Sequence, residues 1–435
     1  MKKISFKIYS LGCKVNQYDG AVLGRLLKET GFMEGEKPDL VVINTCSVTQ
    51  RAITKDKQLI NDLRRKFLGA KFLIMGCWPQ TDNEAKKNYQ NKDFIFWGVG
   101  ELEQLSIKIK NLFKDYFNNL DKLKNRKNIN QAERRINKIK NLSNKLLISG
   151  LLAPTDRSRY FLKIADGCNQ FCSYCLIPFA RGRLISRSQE DIISEAEAAT
   201  KAGYREIVLS GIHLGRYGED FNNKKTNLAS LLKKILKIKN LGRIRLSSIE
   251  INEVSDELIK LIIKNDKICR HLHISLQSGS DKILKLMKRP YNKKYFLNKV
   301  NRIKHHLPEI AISTDIIVGF PGENALDFKE TYRFAEKLAF SNIHVFSFSA
   351  HKLTAAYKLP DKVSISDIKH RSLELRKLSI RLENKYKHYI LKIYSDKPLK
   401  LIKEQSRQID KIRAKTEFGF DLMISPKKAK KQLFI

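Results

Sequence analysis

Cys168, Cys172 and Cys175 fall within eight residues at the spacing C-x3-C-x2-C, just after the apolar run 160–165. A free cysteine is ordinarily a small buried hydrophobe. Three thiolates this close can instead face one soft metal centre, and multi-iron clusters are held by cysteine sulfur. Three ligands for a four-iron cubane leave one iron open, which suits a site that must bind something else. A tetrahedral zinc would want a fourth Cys or His at similar spacing, and none lies nearby. Three more cysteines, Cys13, Cys46 and Cys77, share a different context: each follows a β-like apolar run, at 4–11, 40–43 and 71–75.

The elements that position these residues follow from the pattern. Helix-like segments at 19–30 and 55–67 separate the three early runs, and strand–helix repeats of about thirty residues imply a parallel α/β sheet. The carboxyl ends of such strands share one edge, where ligands bind. Cys13, Cys46 and Cys77 would converge there as a second three-cysteine cluster site, whereas three independent core cysteines would have no reason to share the strand-end position. After Cys175, β-like runs recur at 206–209, 244–249, 272–276, 312–318 and 343–348, with helix-like segments at 190–201, 228–238 and 293–305 between them. With 160–165 they make about six βα units, as in a parallel barrel or partial barrel with its site at the strand carboxyl ends. Ser210, Gly211, Ser248, Glu250, Ser275, Gln277 and Asp315 sit at those ends, where a cofactor would need polar groups and close backbone approach. His213, His271, His273 and His344 lack zinc-site spacing and read as ordinary hydrogen-bonding histidines. Cys269 reads as a buried structural thiol.

Composition sets the frame. A chain of 435 residues is too long for one ordinary core, so two or three domains are expected. Lysine and arginine number 84 against 45 acids, a formal charge of +39, which points to a polyanionic partner such as nucleic acid, with a biased Lys/Asn/Ile composition as the bland alternative. No run of about 18 apolar residues suggests a membrane span. Lys7 interrupts the faintly signal-like start, and Ser10 is wrong for a lipoprotein box before Cys13. Cytoplasmic placement is expected, and seven cysteines, an odd number, argue against a disulfide framework.

The flanks carry a resemblance. Asp166-Gly167-Cys168, Tyr174 before Cys175, Ala180-Arg181-Gly182-Arg183 and Ser186-Arg187-Ser188 resemble the radical S-adenosylmethionine (SAM) methylthiotransferases. So do Gly12-Cys13-Lys14-Val15-Asn16-Gln17-Tyr18-Asp19, Asn44-Thr45-Cys46-Ser47-Val48-Thr49 and Gly76-Cys77-Trp78-Pro79-Gln80. The resemblance implies a methylthiotransferase N-terminal domain over 1–115, a Lys/Asn-rich linker over 116–157, a radical SAM partial (β/α)6 barrel over 158–385 and a short β-rich TRAM-like RNA-binding module over 386–435. It implies two [4Fe–4S] clusters, one on Cys168, Cys172 and Cys175 with SAM on its open iron, and an auxiliary one on Cys13, Cys46 and Cys77. The strand-end residues would then face SAM, hydroxyls and carboxylates matching its diol and ammonium. Lys14 to Tyr18, Gly211 to Gly218, His271 to Ser280 and Met287 to Tyr291 resemble most the branch that acts on N6-threonylcarbamoyladenosine at position 37, in the tRNA anticodon loop. A reducing donor such as flavodoxin or ferredoxin is implied as well.

Other readings remain open at this stage. The same machinery serves N6-isopentenyladenosine in tRNA or a ribosomal-protein aspartate, and a basic RNA-binding scaffold with zinc or empty cysteines is the non-enzyme alternative. Two departures from the family pattern bear on substrate contacts: Ile251 stands where Pro is usual, and 347–354 lacks the usual Pro-, Arg- and Gly-containing stretch.

Overall fold

The computed structural model describes residues 3–83, 87, 89, 93–114, 159–223, 225–404, 412–424 and 433–434. The linker expected over 116–157 lies outside the described residues. The chain forms two compact units, residues 1–47 with 51–154, and residues 48–50 with 155–435.

In the first unit, β1 (Ser5–Ser10), β2 (Met33–Glu34), β3 (Leu40–Thr45), β4 (Lys71–Gly76) and β5 (Phe94–Phe96) form an all-parallel sheet in the order β2-β1-β3-β4-β5. β3 is buried along its whole length, because alternate side chains feed two cores. Leu40 and Val42 pack with Leu23, Leu27 and Leu105 of helices Lys14–Glu29 and Leu102–Leu112. Val41 and Ile43 pack with Ile53, Ile60 and Leu63 of helix Gln50–Lys66. The helix expected from 19 starts at Lys14, with Cys13 in the extended N-cap conformation. β5 and helix Leu102–Leu112 were not anticipated, since three apolar residues make too short a run to read as a strand.

The second unit holds β6 (Arg159–Asp166), β7 (Ile185–Ser186), β8 (Glu206–Gly211) and β9 (Arg243–Leu246) in the order β7-β6-β8-β9. It also holds β10 (Ser248–Ile249), β11 (His271–Ile274), β12 (Ala311–Val318) and β13 (Asn342–Ser347), joined in that order. Cys269 N–H donates to the Ile244 carbonyl at 2.8 Å and Ile244 N–H to that of Lys267 at 2.7 Å, which links the two sheets. Only β7 pairs antiparallel here, so the array is a partial parallel barrel. Ser188, Asn227, Asn292 and Asn324 cap helices that return the chain between strands, each side chain accepting from the N3 amide. The run expected over 244–249 splits into β9 and β10 at Ser247.

Helix Ile365–Ile393 runs unbroken across position 385. β14 (Lys400–Glu404), β15 (Ile412–Thr416), β16 (Asp421–Ile424) and β17 (Leu433–Phe434) follow as a sheet ordered β16-β15-β14-β17, mostly antiparallel. A buried ion network fastens it to the barrel. Glu206, fully buried, is ion-paired with Arg243 and with Arg245 at 2.8 Å. Arg243 donates to the Lys400 and Lys415 carbonyls at 2.7 and 2.9 Å, and Arg245 to the Thr416 carbonyl at 2.8 Å. No described helix is long and apolar enough to cross a membrane.

Candidate active site

The loop that carries Cys168, Cys172 and Cys175 leaves the carboxyl end of β6. Asp166, the last residue of that strand, accepts from Arg181 at 2.8 and 3.0 Å and from Lys163 at 3.2 Å, which fixes where the loop begins. Gly167 turns at φ +68°, and a Cβ there would lie 1.9 Å from the Arg183 carbonyl oxygen, so this position requires glycine. Cys168 N–H donates to the Gly182 carbonyl at 3.0 Å, and Leu184 N–H to the Asn169 side chain at 3.2 Å. Ser173 binds the backbone of Leu286 and Met287 at 2.8 and 3.1 Å, which pins the far side of the loop to the C-terminal end of helix Asp281–Leu286. All three cysteines are free thiols; Cys168 and Cys172 are buried and Cys175 is half-buried.

Polar groups surround the sulfurs. Gln170 N–H donates to Cys168 Sγ at 3.3 Å, and His213 Nδ1 stands 3.2 Å from the same sulfur. The other ring nitrogen of His213 pairs with Glu253. Burial disfavours charge on His213, but Cys168 and the Glu253 carboxylate outweigh it and lift the ring to about 10. Arg289, almost wholly buried, donates to Cys172 Sγ at 3.2 Å, to Tyr174 Oη at 3.4 Å and to Tyr291 Oη at 3.0 Å, and pairs with Glu250. Burial pushes the Cys172 thiol up and the Cys175 thiol up to about 12. Thiols in so dry a place ionise only against a cation, and Arg289 supplies one beside Cys172. A bound metal centre would supply another, so the donor set fits a cluster held by three sulfurs.

The expected strand-end residues divide. Ser275 Oγ donates to Asp315 Oδ2 at 3.1 Å, and Gln277, at φ +67°, donates its N–H to the Asp315 carbonyl at 2.8 Å, so these three meet. Glu250 joins the cysteine loop through Arg289. Gly211 ends β8 against the Ala165 carbonyl, and Ser248 is exposed on β10. The buried hydroxyl of Ser210 donates to the Leu162 carbonyl at 3.3 Å. Arg289 and Glu253 were missed by sequence reasoning, since a lone arginine in a turn and a glutamate three residues after another carry no spacing signal. Ile251, in the usual proline position, follows N-cap Glu250 in a 3-10 turn, and a reciprocal Glu250–Glu253 cap holds that turn without proline. The altered stretch after β13 is ordered too: Phe348 N–H donates to the Val318 carbonyl at 2.8 Å and Thr354 Oγ1 to that of His351 at 2.8 Å. Cys269 is a buried thiol pushed up to about 11 by burial.

The first unit assembles its own three-cysteine edge. Cys13 follows β1, Cys46 follows β3 directly and Cys77 opens helix Cys77–Thr81 after β4. Asn16, fully buried, ties the three strand ends: its amide donates to the Leu11 and Thr45 carbonyls at 3.0 and 2.8 Å, and Cys77 Sγ lies 4.0 Å from its Oδ1. Asn44 closes the ring by donating to the Asn16 carbonyl at 2.7 Å. Gly12 turns at φ +87°, and a Cβ there would meet Cys46 Sγ at 2.9 Å, so glycine is what lets the Cys13 turn approach Cys46. Asp56 accepts from Cys46 N–H at 2.9 Å, and its burial raises its carboxyl to about 7. Cys13 is exposed while Cys46 and Cys77 are buried, and all three are free. Three soft donors at one edge, with one of them open to solvent, fit a cluster that can still exchange a ligand.

Comparison with known proteins agrees with this geometry. The radical SAM superfamily matches residues 162–335, and the uncharacterized protein family UPF0004 matches residues 5–97. The threonylcarbamoyladenosine tRNA methylthiotransferase MtaB of Bacillus subtilis is 36% identical over 404 residues, 92% of this chain and 84% of that protein. Its namesake from Thermotoga maritima is 35% identical over 392 residues, 88% and 84% of the two chains. The tRNA-2-methylthio-N(6)-dimethylallyladenosine synthase of Carboxydothermus hydrogenoformans is 33% identical over 386 residues, 86% and 82%. Among solved structures, the radical SAM methyltransferase TsrM of Kitasatospora setae, with cobalamin and a [4Fe–4S] cluster bound, shares the fold, with a TM-score of 0.57 at 14% identity over 82% of this chain and 77% of its own.

Proposed function

The chain belongs to the radical SAM methylthiotransferase family, and we propose that it converts N6-threonylcarbamoyladenosine at position 37 of tRNA to the 2-methylthio derivative. Its radical SAM domain implies a [4Fe–4S] cluster and SAM. In this reading Cys168, Cys172 and Cys175 hold that cluster, and Cys13, Cys46 and Cys77 hold a second. When bound, these groups supply the one-electron chemistry that opens an unactivated C–H bond, and the sulfur and methyl that replace the hydrogen.

The chain's own residues do the positioning. Arg289 holds Cys172 and offsets the charge of its sulfur, His213 and Glu253 do the same at Cys168, and the Asp166–Arg181 pair fixes the loop's origin. The strand-end set of Ser210, Gly211, Ser248, Glu250, Ser275, Gln277 and Asp315 supplies the groups to meet SAM; among them Ser210 already donates to a backbone carbonyl, Ser275 to Asp315, and Glu250 pairs with Arg289. Lys403 and Arg413, exposed on the C-terminal sheet, add to a charge of +39 that suits an RNA backbone. The observation that carries the proposal is the likeness to threonylcarbamoyladenosine tRNA methylthiotransferases at 35–36% identity over 88–92% of the chain, and the second three-cysteine edge gives a sulfur-inserting enzyme a place for its auxiliary cluster.

Isopentenyladenosine-37 is the second reading, favoured by relatives of that name at 32–33% identity. Nucleoside mass spectrometry of tRNA from cells lacking the gene decides between them. Loss of 2-methylthio-threonylcarbamoyladenosine is expected; its persistence, with loss of the methylthio-isopentenyl nucleoside, would move the assignment to the second reading.

A further inference from the structure

Besides the cysteine loop, three side chains from three adjacent strands of the barrel converge. His273 Nε2 of β11 lies 3.0 Å from Asp315 Oδ1 of β12, and His344 Nδ1 of β13 lies 3.2 Å from the same oxygen. All three donor atoms fall within 4.8 Å of one another. We propose that His273 Nε2, Asp315 Oδ1 and His344 Nδ1 form a binding site for a divalent first-row transition-metal ion.

The spacings suit one ion. Donors about 2.1 Å from a shared metal stand about 3.0 Å apart at a right angle and about 3.4 Å apart at a tetrahedral one. The two His–Asp separations fall in that interval. Two imidazoles sharing an ion at a tetrahedral angle place their ring centres about 5 Å apart, and those of His273 and His344 are 5.1 Å apart.

The donors are also held from behind, as metal ligands are. His273 Nδ1 meets Ser313 Oγ at 2.9 Å, which orients the ring with Nε2 toward Asp315. Ser313 Oγ is itself 3.0 Å from His271 Nε2. Ser275 Oγ donates to Asp315 Oδ2 at 3.1 Å, which turns Oδ1 toward the two imidazoles. Two imidazoles and a carboxylate suit Mn²⁺, Fe²⁺ or Zn²⁺ over Mg²⁺ or Cu⁺. Three protein donors leave coordination positions open, and His344, whose side chain is 55% exposed, puts them on the solvent side. Chain spacing hid the set, because its members are 42 and 29 residues apart and meet only through the parallel pairing His271↔Ala311 and Asp315↔His344.

Mn²⁺ tests the site, since a hard ion leaves thiolate sites alone. The full chain, anaerobic and with its iron–sulfur content intact, is titrated with Mn²⁺, and the six-line electron paramagnetic resonance signal of the free ion is followed. About one Mn²⁺ per chain should leave the free pool, and Zn²⁺ should return it, being the stronger binder in the divalent series. His344→Ala should weaken uptake at least tenfold, and Asp315→Asn should abolish it, with iron content unchanged in both. His344 is exposed enough that its truncation leaves the fold intact, so that variant stays informative if Asp315→Asn misfolds. No uptake by the parent chain at about 1 mM Mn²⁺, or equal uptake by the parent and His344→Ala, overturns the proposal.

Discussion

Replacing Glu206 by Gln keeps the shape of the side chain and removes its charge, and the consequence can be worked out from the network around it. Glu206 is fully buried between Arg243 and Arg245, with Arg159 at 3.7 Å. Burial raises its carboxyl, but the arginines more than reverse that and hold it at about 2, against an ordinary 4.5. A carboxyl moved that far contributes about 3 kcal/mol at neutral pH. Removing one partner of a buried ion pair costs about 3–5 kcal/mol by a separate route, because Arg243 and Arg245 stay buried without a counter-charge. For a unit this size, at about 2–4 °C per kcal/mol, that is a fall of about 6–20 °C in melting temperature.

The pH dependence has a definite sign. The folded carboxyl is the stronger acid, so the contribution is complete above about pH 4.5 and is lost as pH falls toward 2. The gap between parent and variant should therefore narrow with acidification. The same arginines hold the carbonyls of Lys400, Lys415 and Thr416, so amide exchange in β14 and β15 should rise before that of β6 or β12. Scanning fluorimetry and hydrogen-exchange mass spectrometry read both. A shift under about 2 °C with unchanged protection in β14 and β15 would show that the network does not fasten the sheet.

Three further outcomes are expected. Gly167→Ala places a Cβ 1.9 Å from the Arg183 carbonyl, so the protein should lose about four irons while the first unit keeps its own; full iron content would show that the loop can re-form around a side chain. Asn16→Ala removes the amide that donates to the Leu11 and Thr45 carbonyls, a loss of about 2–3 kcal/mol that should appear as faster amide exchange at the ends of β1 and β3 and not in the second unit. Arg289→Lys removes the planar fork that spans Cys172, Tyr174 and Tyr291, and with fewer hydrogen bonds to sulfur the cluster's midpoint potential should fall. An unchanged potential in a redox titration would take Arg289 out of the sulfur environment.

The strand pattern was legible because parallel strands buried on both faces are nearly continuous apolar runs, as β3, β8 and β12 are. Cys13, Cys46 and Cys77 were legible for the same reason, each lying just after such a run, and Cys168, Cys172 and Cys175 by their C-x3-C-x2-C spacing. Short edge elements were not: β5 is three residues and β7 two, too few for periodicity to register. The environment of the sulfurs was beyond spacing arguments altogether. Arg289 reaches Cys172 across 117 residues of chain and His213 reaches Cys168 across 45, so only the fold puts them together. Nor did spacing show that Ser210, at a strand end, donates its hydroxyl to a carbonyl of the neighbouring strand.

That two separate edges each hold a cluster is tested most directly by iron and sulfide per chain after anaerobic purification. The parent should carry about eight irons, and the variants with Cys168, Cys172 and Cys175 or with Cys13, Cys46 and Cys77 all changed to Ala should carry about four each. Iron lost in full from either variant, or zinc in place of iron in the parent, would contradict the account.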